Sequence, residues 1–284
     1  MSAVCAMVPG DRGQVGDCDY MEVGTVTKMM KRRIFAGGIC EQLVYPVSSG
    51  VKDTSAFTPE KQPRKRFKTE EEYERFKLEI ARRKHNRNFH ANFVPGDIYS
   101  TLTFDDEWEV HTFREAKRIR SNFIRTLLRK FPDAVIFLYM GRGKGTQRIH
   151  FHMVSHGIPK EFIDEKWKYG SVKRFAELRE HNWYEGIDHG ADFSGLANYL
   201  FNHWTPEIGG HRWFQTKNAR KADVEEPTEV RVTGGYSEKR PPVPPKGYKL
   251  VDCKRSQFGY WYFKYVAEPK KERRKTTGSM CRLD

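Results

Sequence analysis

The chain has 284 residues, with Lys and Arg contributing 51 against 37 Asp and Glu, a formal net charge of +14. That length supplies an ample core for one large domain or two modest ones, and the positive excess points to a polyanionic partner, nucleic acid foremost. No stretch approaches the roughly 20 apolar residues that span a bilayer, and residues 1–50 lack the charged-then-apolar order of a secretory signal. A cytoplasmic protein without a membrane partner is therefore expected.

The cysteines, Cys5, Cys18, Cys40, Cys253 and Cys281, are odd in number and share no short ligand spacing. They read as reduced thiols, not as a disulfide framework or a zinc finger.

Along the chain, residues 1–60 lack sustained periodicity apart from a short β-like piece at 39–47, and read as a loosely ordered lead-in. A basic helix is expected within 61–94. Thr69 and Glu72 have capping-box spacing, Tyr73, Phe76 and Ile80 form an apolar stripe, and Arg82, Arg83, Lys84 and Arg87 crowd the far end. That cluster fits a solvated helix end, favoured by the helix dipole, and equally a phosphate site.

After the turn at Val94-Pro95-Gly96-Asp97, the β-branched and aromatic run 98–104 reads as the first strand of a main domain spanning 95–225. Helix signals follow: Thr112 and Glu115 at capping-box spacing, Ala116, Ile119, Phe123, Leu127 and Phe131 at helical intervals, and Pro132 as a stop. Residues 134–140 are apolar without a break, as in a strand buried on both faces, and Gly141-Arg-Gly-Lys-Gly145 reads as a flexible basic loop.

Arg148-Ile-His-Phe-His-Met153 then alternates, so His150 and His152 project from one face while Ile149, Phe151 and Met153 face a core. Two neighbouring imidazoles form half of a metal site. They suit manganese, zinc, iron, nickel or copper, and magnesium where oxygen ligands dominate.

Two short helices are expected over 159–180 and another over 192–204. In the latter, Leu196, Tyr199, Leu200 and His203 share a face. Tyr199 fits a core tyrosine with its hydroxyl at the surface, and it also fits a nucleophile for phosphodiester cleavage.

Residues 226–247 form a Pro-rich linker with a stiff spacer at 241–245, and 248–284 form a hairpin turning at 256–259 and then a basic tail. In the run 260–265 the alternate set Trp261, Phe263 and Tyr265 reads as the buried face of an edge strand, against a second reading as base-stacking platforms. The element order suits an α+β fold: a central antiparallel sheet with helices packed on one face. No internal repeat is present.

The ordered set Tyr99-Ser-Thr-Leu-Thr-Phe104, Arg148-Ile-His-Phe-His-Met153 and Leu196-Ala-Asn-Tyr-Leu-Phe-Asn-His-Trp204 resembles the three motifs of the HUH endonucleases, in particular the rolling-circle replication initiators of plasmids and phages. The resemblance implies a ferredoxin-type, RRM-like catalytic domain in a bacterial host cell. His150 and His152 would hold a divalent ion, Mg2+ or Mn2+. Tyr199 would attack single-stranded origin DNA, leaving a 5′-phosphotyrosine and a 3′-hydroxyl that primes synthesis, with host replication proteins as further partners.

The chain departs from the family pattern at three places. Residues 134–140 offer no third ligand, so Asp105, Asp106, His156 or His189 would have to serve. Asn202 stands where many members carry lysine. His203 occupies the position of a second tyrosine, which suggests a single-tyrosine enzyme, and His203 is the candidate for a catalytic, phosphate-positioning role. Arg142, Lys144 and Arg148, on the loop beside the metal strand, are the DNA-contact candidates. A transposase or relaxase of the same superfamily shares this chemistry, though the absence of a Gly-rich phosphate loop disfavours a large relaxase. A basic nucleic-acid-binding regulator with structural histidines is the non-catalytic alternative.

Overall fold

A computed structural model describes residues 27–48, 69–108, 110–143, 148–171, 173–203, 211–232, 236–237, 239–255 and 260–268. In chain order the elements are strands β1 (Thr27–Ala36) and β2 (Ile39–Ser48), helix α1 (Glu70–Asn92), strand β3 (Ile98–Thr103), helix α2 (Phe113–Lys130), strands β4 (Val135–Arg142) and β5 (Ile149–His156), helix α3 (Lys160–Lys166), strands β6 (Lys173–Glu177), β7 (Trp183–Tyr184) and β8 (Ile187–Asp188), helix α4 (Ser194–Asn202), and strands β9 (Phe214–Gln215), β10 (Asp223–Val224), β11 (Thr228–Val230), β12 (Tyr248–Arg255) and β13 (Trp261–Ala267). The fold is α+β, and no described helix is long and apolar enough to cross a membrane.

The central sheet runs β6-β3-β5-β4-β9, every neighbour antiparallel. Its middle strands are buried on both faces, which is why 134–140 is apolar throughout. Ile136, Leu138 and Met140 join Phe151, Met153 and Trp167 in a core under α2 and α3. Phe137 and Tyr139 point the other way, into a core closed by Phe89 and Phe93 at the end of α1 and by Ala197 and Leu200 of α4. Helices therefore cover both faces, not one. The second cover is needed because the odd-numbered residues of β4 are as apolar as the even ones.

Local signals place α2 as expected. The Thr112 side chain accepts from the Glu115 N–H while the Glu115 carboxylate accepts from the Thr112 N–H, and Phe113, Ala116, Phe123, Ile124 and Leu127 are buried. The basic helix starts as read, at an N-cap Thr69 that accepts from Glu72 N–H at 3.1 Å. Its packing stripe differs: Tyr73 and Ile80 are exposed, and the buried residues are His85, Phe89, His90 and Asn92 near the other end. Only that end reaches the central sheet.

The expected second helix within 159–180 is instead the edge strand β6, whose residues Lys173–Glu177 pair with β3. Gly141 lies within β4, opposite His150, and not in a loop.

Residues 27–48 are no loose lead-in but a hairpin, and they join the C-terminal hairpin in a six-stranded sheet of order β10-β1-β2-β13-β12, with β11 also on β1. The segment read as a linker supplies β11 and packs alongside. Strand β13 is consequently interior, between β2 and β12, and Phe263 and Tyr265 are fully buried with Cys40 and Val44. Sequence pattern missed this because each hairpin covers a face of its own only after pairing with a partner some 200 residues away. Gly37 turns the first hairpin at φ +55, and a Cβ there would stand 2.1 Å from His90 O, so the turn is seated on α1. Of the cysteines, Cys40 is buried in the core of this sheet with Cys253 packed against it; Cys5, Cys18 and Cys281 lie outside the described residues, as do Lys144, the turn 256–259 and the basic tail.

Candidate active site

Strand β5 sends Ile149, Phe151 and Met153 into the α2-side core, which leaves His150 and His152 on the opposite face. Helix α4 crosses that face, buries Ala197, Leu200 and Phe201, and ends with His203 as its C-cap. The three histidines converge. One ring nitrogen from each lies within 4.8 Å of the others, and His203 Nε2 is 2.7 Å from His150 Nε2.

A glycine makes this approach possible. A Cβ at position 141 would stand 2.3 Å from the His203 ring and 2.9 Å from its carbonyl oxygen. Close approach of another element is a standard reason for glycine inside a strand.

Hydrogen bonds outside the cluster set the tautomers. His152 Nδ1 lies 2.8 Å from Tyr99 Oη and 3.0 Å from Thr101 Oγ1, while the Thr101 hydroxyl itself donates to Tyr99 Oη. With Nδ1–H as donor, His152 Nε2 is bare. His150 Nδ1–H likewise reaches Arg148 O at 3.3 Å, which leaves Nε2 facing the cluster. Burial pushes the His152 ring down to about 3 and His203 to about 4, with the neighbouring rings adding to each shift, and burial also lowers His150. All three are neutral near pH 7, with lone pairs available, so the donor set fits a divalent transition metal. None of Asp105, Asp106, His156 or His189 takes part. Asp105 accepts from Ser171, Asp106 pairs with Arg148, His156 faces Asp97, and His189 lies beside Asp192.

Tyr199 stands at the same place, its side of α4 half exposed and its hydroxyl 3.3 Å from His152 Nε2. Partial burial raises its pKa, so the phenol is protonated at rest. Beside it a cavity of about 540 Å3 is lined by Tyr99, Thr101, Arg174 and Ala176. Tyr139, His152, Thr101 and Arg174 are successive register partners, one row across four strands.

Of the residues expected from sequence, Tyr199, His203, His150 and His152 are thus assembled. Of the basic loop residues, Arg142 and Arg148 have partners of their own, and Lys144 lies outside the described residues. The Arg142 guanidinium lies 5.0 Å over the Phe113 ring and donates to His111 O, and Arg148 forms a 2.6 Å ion pair with Asp106. Sequence reasoning missed Tyr99, Thr101, Gly141 and Arg174. The alternation of 98–103 puts Tyr99 and Thr101 on one face, but only the β3–β5 register aligns that face with His152.

No family model matches the chain, and no curated protein or solved structure was found to match it.

Proposed function

We propose that the protein is a metal-assisted, single-tyrosine DNA nickase and strand transferase that initiates rolling-circle replication. The observation that carries this reading is the Tyr199 hydroxyl, half exposed and 3.3 Å from His152 in a cluster of three neutral histidines. Tyr199 Oη attacks the scissile phosphorus, the P–O3′ bond breaks, and the 5′ phosphate remains on the tyrosine while the departing O3′ takes up a proton as the priming hydroxyl. The phenolic proton passes to solvent at the exposed side of the ring. Tyr99 is the poorer nucleophile, because its oxygen is engaged by Thr101 and His152.

A divalent ion held by His150, His152 and His203 would supply Lewis acidity at a non-bridging phosphate oxygen. An all-nitrogen donor set favours Mn2+ or another transition ion over Mg2+. Resealing is the same step in reverse, with the 3′-hydroxyl attacking the phosphotyrosine.

The test is incubation of the purified protein with labelled single-stranded DNA, with Mn2+ or EDTA, followed by denaturing electrophoresis. A covalent protein–DNA band is expected with Mn2+, present in Tyr99→Phe and absent in Tyr199→Phe. An adduct that persists in Tyr199→Phe, or tight binding without an adduct on any strand, would overturn the proposal.

A further inference from the structure

A groove of about 960 Å3 runs between α1, the outer side of α4 and the open face of the six-stranded sheet. Its floor is set by register. Leu43, Tyr262 and Lys254 form one row across β2, β13 and β12, and Glu41, Lys264 and Asp252 form the next, all on the face opposite Phe263 and Tyr265. Phe76 and Arg83 of α1 supply a wall, and Ser194 and Asn198 of α4 close the inner end.

The lining charges are unequal. Glu79 is shared between Arg82 and Arg83 at 3.1 Å each, Asp252 pairs with Lys254 at 2.6 Å, and Glu41 is held at 2.6 Å by Arg87 behind the groove. Among the described residues, one guanidinium of the 82–83 pair and that of Arg255 are left in excess, the latter exposed and 5.3 Å over the Trp261 ring. At the rim, Tyr45 and Tyr260 present rings 6.3 Å apart, with Tyr260 41% exposed. Aromatic faces interleaved with surplus cations are the means by which proteins hold unpaired nucleic acid, bases stacking on rings while phosphates meet the charges. The inner end reaches Asn198, the residue next to Tyr199 on α4.

We propose that this groove holds the single-stranded DNA flanking the phosphate that Tyr199 attacks, with Tyr260 and Tyr45 as stacking platforms and Arg255 as a phosphate contact. The inference rests on the nickase reading for the identity of the strand. The binding it describes is measured without chemistry.

Fluorescence anisotropy in EDTA, with labelled oligo-dT of about 16 and about 4 nucleotides, tests it. The long strand is expected to bind the unsubstituted protein the more tightly. Tyr260→Ala should weaken the long strand by about 5- to 150-fold, the range set by loss of one stacked base. Tyr260→Phe, which keeps the ring, should restore affinity, and Arg255→Gln should reduce the salt slope by about 1. Unchanged long-strand affinity in both Tyr260→Ala and Arg255→Gln, or a duplex of equal length competing as well as the single strand, would overturn the groove assignment. Absence of a covalent adduct in the unsubstituted protein would instead overturn the nickase reading and leave these binding results standing.

Discussion

Gly141→Ala isolates the contact on which the histidine cluster depends. Gly141 has no positive φ, so alanine fits the backbone and the effect is steric. The added Cβ would meet the His203 Cδ2 and Nε2 atoms at 2.3 Å, against an unstrained separation of about 3.5 Å or more. The ring must retreat by about 1 Å, whereas a nitrogen ligand works within about 0.2 Å of its distance from the ion. Overpacking of this kind costs about 1–3 kcal/mol of stability. Metal affinity should fall by about 10- to 100-fold at the least, the loss that follows disturbance of an outer contact alone.

Urea unfolding in EDTA and Co2+ or Mn2+ titration measure the two effects. In a His203→Ala background the ring is gone and the 2.9 Å contact to the position 203 carbonyl remains, so the stability cost of Gly141→Ala should shrink without vanishing. An equal cost in both backgrounds, or full metal affinity in Gly141→Ala, would refute the steric argument.

Tyr99→Phe removes one acceptor of His152 Nδ1–H but leaves Thr101 Oγ1 at 3.0 Å, so metal affinity should drop by about 10-fold, with a larger drop when Thr101→Val is added; Co2+ absorption titration reads both. A pH dependence of stability follows from His85, buried against Tyr139 Oη at 2.7 Å and pushed down to about 4 by burial. Its folded pKa lies below the unfolded value of 6.5, so the unfolded chain takes up the proton first, and stability present above about pH 6.5 is lost as pH falls towards 4. From this residue alone the loss at pH 5 is of order 2 kcal/mol. The cluster histidines act in the same direction. Urea midpoints at pH 7 and pH 5 should therefore differ, and less so in His85→Leu; a slope identical in that variant would remove His85 as a contributor.

Local chemistry made part of this molecule legible from residues alone. Strict alternation put His150 and His152 on one face of β5, a capping box started α2, helical spacing put Tyr199 and His203 one turn apart, and an unbroken apolar run marked β4 as central. These follow from interactions within a few residues, where the periods of helix and strand decide which side chains share a face. The third histidine of the cluster was not legible, since His203 reaches His150 only because α4 docks on the sheet and Gly141 leaves room. The tautomer-setting pair Tyr99 and Thr101 needed the register of β3 on β5. Of residues 27–48 only the piece 39–47 was legible, and its place in a sheet was not, because β13, the partner of β2, lies more than 200 residues on. The partners of Arg142 and Arg148 were not legible either, since Phe113 and Asp106 meet them only once the chain is folded. The sequence by itself thus determined several elements, α2, β4 and β5 among them, and the nucleophile and ligand candidates, through short-range periodicity and capping. Only tertiary structure decided which of them meet, because register and helix docking are set by packing between segments that carry no local record of one another.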